Sequence, residues 1–194
     1  MWRRGGPGRS GLRRQLRTAR ALFDTGDFAA AELLLRRLLP DCEAELGRDH
    51  QETIGLLNTL GSALYQQRKV DASVRIAREA TDRAELAWGP DHPRTLDCAH
   101  NLGAALAIQG EADESFSVLD RTWQRRAARL GPGHESTLTT ALTLGATLFA
   151  AGLRHDGLTV LRQAHAQSQA LAAGHPVRAD IAENLRIAER NAGY

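Results

Sequence analysis

Apolar residues recur at three- and four-residue steps along most of the chain. Ile54, Leu57, Leu60, Ala63 and Leu64 form one such stripe, and Val70, Val74, Ile76 and Ala80 form the next. This is the spacing of an amphipathic helix that buries one face. No stretch alternates apolar and polar residues in the manner of a strand. The stripes are interrupted at Gly26, Gly110 and Gly152, and again at Leu46-Gly47, Trp88-Gly89 and Leu130-Gly131. Glycine is the usual helix stop. Pro90, Pro93, Pro132 and Pro176 fall in the second set of interruptions, where a helix must break in any case. The pattern therefore predicts consecutive pairs of helices.

The pairs are copies of one unit. His50, His92 and His134 are spaced by 42 residues, and His175 follows 41 later. Leu60, Leu102, Leu144 and Leu185 then align, as do Gly61, Gly103 and Gly145. A turn column holds Gly26, Gly110 and Gly152, with Arg68 as its exception. A second small column holds Ala31, Ser73, Ser115 and Gly157. Two helices at a narrow separation leave no room for large side chains at such positions. The register gives units at 8–49, 50–91, 92–133 and 134–174, followed by a capping helix at 176–191. Residues 1–10 are expected to be a flexible basic arm, and 11–194 a single domain.

A leucine-glycine-x-x-leucine core, a turn glycine eight residues after the leucine and a small residue five further on resemble the tetratricopeptide repeat. The 42-residue period and the linkers "WGPDHP" and "LGPGHE" resemble the repeats of kinesin light chains and of bacterial proteins built from the same unit. The resemblance spans about 8–194. It departs at Arg68, in the residue missing before Gly174, and in the first-helix aromatic, which is displaced to Tyr65 and Phe149 and is Ala107 in the third unit. It implies an all-α fold: a right-handed superhelical solenoid of about four helix-turn-helix repeats plus the C-terminal capping helix.

Composition narrows the setting. No apolar run reaches the length of a membrane helix, and no apolar stretch follows the N-terminal arginines as in a secretory signal. A cytoplasmic protein without membrane contact is expected. Arginine outnumbers lysine 24 to 1, a bias of GC-rich, here bacterial, coding. The net charge is +2, yet seven arginines and no acid lie before Asp24, so the remainder is net acidic. The arm is basic enough to touch phosphates, but Trp2 is its one aromatic. A solvated terminus is the simpler reading, and nucleic acid is not the expected partner.

Three kinds of chemistry compete with simpler roles. The histidines at 50, 92, 134 and 175 lie in different repeats, on the order of 10 Å apart, and cannot converge on one zinc ion. Each is better placed to satisfy free N–H groups at the start of a helix. His92 and His100, with Asp97 between them, are too far apart along one helix to chelate. Cys98 and His100 point to different sides of a helix, Cys42 and Cys98 share no metal or redox spacing, and no phosphate-binding glycine loop is present. No metal, no cofactor and no catalytic set are expected. Both cysteines are expected to be reduced and structural.

Stacked helix pairs offer a concave surface to an extended partner. The resemblance implies that the first helix of each repeat lines it, with contacts at positions nine, ten, thirteen and sixteen. Asn58, His100, Asn101 and Asn184 occupy the ninth or tenth positions, whereas the fourth repeat has Leu142 and Thr143. An asparagine amide both donates and accepts, so it can pair with a peptide backbone of any sequence. Arg13, Arg17 and Arg20 share one face of the first helix and would favour acidic residues. Tyr65 is expected in the groove and Phe149 in the core. The chain thus reads as a non-catalytic scaffold for a protein or peptide partner with an acidic segment. An enzyme or an accessory subunit of a biosynthetic or modifying enzyme, with its site near His100, is the alternative. The "ALF" and "ELLLRRLL" stretches of the first repeat also admit a homodimer through an array end.

Overall fold

The structure, a computed structural model, describes residues 8–192. They form α1 (Arg9–Asp24), α2 (Phe28–Glu45), α3 (Gln51–Gln66), α4 (Val70–Trp88), α5 (Pro93–Gln109), α6 (Ala112–Leu130), α7 (Glu135–Ala150), α8 (Arg154–Gln167), a 3-10 turn (Ser168–Ala170) and α9 (Pro176–Ala192). There is no strand among the described residues. The chain divides into two compact units, one ending at Ala105 and the other starting at Leu106. The α1 helix begins at Arg9, inside the stretch expected to be an arm, and Trp2 lies outside the described residues.

The turn within each pair ends one helix by the same device. The N–H groups of Gly26, Arg68, Gly110 and Gly152 donate three residues back, and those of Asp27, Lys69, Glu111 and Leu153 donate five back. This closure requires a left-handed residue. Gly26, Gly110 and Gly152 supply it at φ between 83° and 93°, and Arg68 adopts φ 59°. A side chain at that angle costs about 1 kcal/mol, so the sequence departure at Arg68 is a local strain within an unchanged turn.

Between pairs the histidines cap helices. The Nδ1 atoms of His50, His92, His134 and His175 accept from the N–H groups of Glu52, Arg94, Ser136 and Val177, at 3.1 to 3.3 Å. His50, His92 and His134 also donate their own N–H to Gly47, Gly89 and Gly131, which have positive φ.

In the first unit, α1 packs on α2, α2 on α3, α3 on α4, and α1 reaches α3. Leu12, Leu35, Leu38, Ile54, Leu57, Leu60 and Leu64 are buried there in one core, together with Cys42 and Cys98. Thr95 on α5 donates to the Ala84 carbonyl of α4 at 3.2 Å. The α2 helix continues through Pro40 to Glu45.

Charged side chains tie the first pair to the second. The Glu32 carboxylate on α2, almost buried, receives Arg36 Nε at 2.8 Å, Gln67 Nε2 at 2.9 Å and Lys69 Nζ at 2.7 Å. Burial opposes its ionisation, but the hydrogen bonds from Lys69, Arg36 and Gln67 and the Lys69 charge outweigh it, holding the carboxyl at about 2. Arg83, 6% exposed, binds Glu43 at 2.7 Å, the Arg48 carbonyl at 3.2 Å, and Glu79 one turn back.

In the second unit α6 packs on α7, α7 on α8, and α9 on both α7 and α8. Leu138, Ala141, Ala164 and Ile181 form one buried cluster, and Leu158, Leu161 and Ala188 another. Phe149, expected in the core, is partly buried and packs against the second cluster.

The two small columns meet in the α3–α4 and α7–α8 pairs, with different tightness. In the α3–α4 pair the Ser73 hydroxyl donates to the Gly61 carbonyl at 2.9 Å, and a methyl on Gly61 would have nothing nearer than Ala77 N at 3.5 Å. In the α7–α8 pair a methyl on Gly157 would lie 2.8 Å from both the Gly145 carbonyl oxygen and the Phe149 nitrogen. Backbone cannot yield as a side-chain tip can.

This packing makes two outcomes testable. Gly157→Ala is expected to destabilise the protein by about 1–3 kcal/mol, whereas Gly61→Ala is expected to be neutral or to stabilise by up to about 1 kcal/mol. Urea midpoints of the two variants measure the difference, and an equal loss for both would show that the close approach is not confined to α7–α8. Because Glu32 titrates below its ordinary 4.5 in the fold, its stabilising contribution is present above pH 4.5 and disappears as pH falls toward 2. Between pH 5 and pH 2.5 the wild type should therefore lose on the order of 1 kcal/mol more than Glu32→Gln, given partial solvent screening. Parallel losses in urea titrations would contradict the Glu32 assignment.

Candidate binding groove

Helical spacing brings three of the sequence-predicted residues to one wall. Arg13, Arg17 and Arg20 lie one helical turn apart on α1 and border a groove of about 560 Å³ in the first unit. The facing wall comes from α3, with Glu52, Gly55, Asn58 and Thr59, and from Arg94 and Asp97 on α5. Leu16, Ile54 and Leu56 give the groove an apolar floor, and Trp88 stands at its edge.

The arginines are not equivalent. Arg13 donates Nε to Glu52 at 2.8 Å, leaving its terminal nitrogens open. Among the described residues Arg20 has a distant counterion, Asp24 at 4.0 Å. Arg17 is exposed, lines the groove and has no hydrogen-bond or ionic partner among the described residues. Arg94 donates to Gln51 at 3.1 Å and lies over the Trp88 ring, 5.7 Å from its centroid. That stacking holds a cation at the groove edge without a carboxylate. The Trp88 ring also meets His92 at 5.1 Å between centroids.

Two asparagines form a bridge across repeats. Asn101 Nδ2 on α5 donates to Asn58 Oδ1 on α3 at 2.8 Å and to Ser62 Oγ at 3.1 Å. This leaves Asn58 Nδ2 as a donor and Asn101 Oδ1 as an acceptor, side by side and without partners among the described residues. The bridge pre-orients both amides, so little side-chain entropy remains to be lost on binding.

The other sequence-predicted residues lie elsewhere. His100, Asn101 and Tyr65 are partly buried and do not line the groove; Asn101 is joined to it through its bond to Asn58. Asn184, in the second unit, donates to the Asp180 carbonyl of its own helix at 2.9 Å. Glu52, Trp88, Arg94 and Asp97 were not among the residues expected in the groove. The one signal was their rarity in their columns: Trp88 replaces Leu46 and Leu130, and Arg94 replaces Glu52 and Ser136.

The groove holds no evident nucleophile. Cys98 borders it but is 2% exposed, and burial, with the charge of Asp97, pushes its thiol up to about 12. Burial, with Asp41 and Glu52, likewise raises Cys42 to about 11. A thiol so raised is a poor nucleophile. Among the described residues no three histidine, cysteine or acidic side chains are grouped to hold a metal ion.

Two family models match the chain, both for the tetratricopeptide repeat, one over residues 19–52 and the other over 52–122. Together they span more than half of it. The chain is a tetratricopeptide repeat protein. No curated protein matches it. Among solved structures, its tetratricopeptide fold resembles the kinesin light chain nearly identical TPR-like repeats of Podosopora anserina, with a TM-score of 0.80 at 23% identity over 94% of this chain and 87% of that one. A single-substitution form of the same repeats gives 0.81 at 23% identity, over 94% and 86%. BtubC (BKLC) from P. vanneervenii gives 0.77 at 14% identity, over 95% and 82%. At these identities the likeness is one of fold, and it is the kinesin-light-chain-like form of the tetratricopeptide repeat. The tetratricopeptide fold is generally a non-catalytic scaffold for protein–protein interaction. None of its helices among the described residues is long and apolar enough to cross a membrane.

Proposed function

We propose that the groove of the first unit is where this scaffold binds its partner, and that it receives an extended segment carrying negative charge. The observation that carries the reading is Arg17, a cation without a counterion among the described residues, on the wall of a groove with an apolar floor. An unpaired guanidinium beside apolar surface gains more from an incoming anion than one already neutralised. The open donor and acceptor of the Asn58–Asn101 pair suit a single peptide unit of an extended chain, which offers one of each. Leu16, Ile54 and Leu56 give that chain's side chains apolar surface to cover. The second unit presents Leu142 and Thr143 at the equivalent first-helix positions, so its face offers no comparable charge.

Replacing Arg17, Asn58 and Asn101 together by alanine tests this. A partner recovered with the wild type should bind at least about tenfold more weakly, the loss expected for one or two desolvated polar contacts. Its wild-type affinity should fall with rising salt. Unchanged affinity in a triple variant that retains its helical circular dichroism would move the binding site off this groove.

A further inference from the structure

We infer that the groove of the first unit recognises a phosphorylated serine or threonine within a partner's extended segment, the phosphoryl group lying between Arg17 and Arg20. This rests on the groove reading above and specifies the anion.

The argument starts from the crowding of charge on α1. Arg13 and Arg17 are four residues apart, and Arg17 and Arg20 three, so neighbouring guanidinium groups repel one another. Of the three, among the described residues, Arg13 has a close counterion, Glu52 at 2.8 Å, and Asp24 stands 4.0 Å from Arg20. A single carboxylate brings one charge and would neutralise one of these cations. A phosphate monoester brings nearly two charges and three acceptor oxygens, enough to take hydrogen bonds from two guanidinium groups at once. Arg13 adds terminal nitrogens that are not engaged with Glu52. Because arginine is the general cation of this chain, the choice of arginine over lysine carries no weight; the clustering does.

The acidic lining residues set the register. Glu52 and Asp97 belong to α3 and α5 and Asp24 is the last residue of α1, 4.0 Å from Arg20, so the positive potential is strongest along α1 ahead of its end. The phosphate is held there, while the chain that bears it crosses the apolar floor toward the amides of Asn58 and Asn101. Free phosphate would use neither the floor nor the amides. The groove therefore fits a phosphopeptide rather than an inorganic anion.

Fluorescence anisotropy with three fluorescein-labelled pools of nine-residue peptides tests the inference. The pools share degenerate flanks of alanine, glycine, serine and valine and carry phosphoserine, glutamate or serine at the centre. The phosphoserine pool should bind at least tenfold more tightly than the glutamate pool, and the serine pool least of all. Arg17→Gln/Arg20→Gln should abolish the difference. Both side chains are exposed and glutamine suits a helix, so the fold is retained; Arg37→Gln, an exposed arginine outside the groove, should leave the difference intact. Equal binding of the phosphoserine and glutamate pools would overturn the phosphate assignment and leave the acidic-segment reading standing. Displacement of the phosphoserine pool by inorganic phosphate as effectively as by unlabelled peptide would assign the site to the free ion and overturn the peptide. Binding of no pool would overturn both readings.

Discussion

The structure depends on how closely two helices of a pair approach where the small columns meet. At Gly157 the α7 backbone leaves no space for a methyl group, and at Gly145 the Leu161 side chain leaves none. At Gly61 there is space, and the Ser73 hydroxyl bonds the Gly61 carbonyl. The small columns therefore serve two ends: close helix contact in the fourth repeat, and a specific hydrogen bond in the second. The leucine column, buried at Leu60, Leu102 and Leu144, packs beside them. Once the pairs have this geometry, the histidine caps and the positive-φ glycines between repeats set where each new first helix starts. In the first unit, that places Arg17, Asn58 and Asp97 around one groove.

The fold was legible because it repeats. A histidine, a leucine, a glycine and a turn residue at fixed spacing each stand for one local event, and each event is decided within a few residues. The histidine cap acts over two residues and the turn closure over five. The strained turn at Arg68 could be located from sequence as a departure, though not its φ of 59°.

The groove was legible only in part, for the opposite reason. Arg13, Arg17 and Arg20 share a face by helical geometry alone, and they do line the groove. The Asn101–Asn58 bond joins residues 43 apart, and the Arg94–Gln51 bond also joins residues 43 apart. Such contacts depend on the side-by-side placement of first helices, which no local rule supplies. Position numbering carried over from the family placed His100 beside Asn101, yet only the asparagine joins the groove's network. Trp88 looked like part of a linker. It is also a platform for Arg94, because the helix end that carries it abuts the start of α5.

Charge gives the groove its direction, and the asparagine bridge its readiness. Arg13 is partly satisfied by Glu52, Arg94 by Trp88 and Gln51, and Arg17 by nothing among the described residues. The most direct measurement is photo-crosslinking from inside the groove. Gly55, itself exposed on α3, borders it, and a Cβ added there meets nothing within 4 Å. A p-benzoylphenylalanine at Gly55 should capture the partner, and one at Leu86, 84% exposed on α4 and outside the groove, should not. Capture from Leu86 and not from Gly55 would contradict the account.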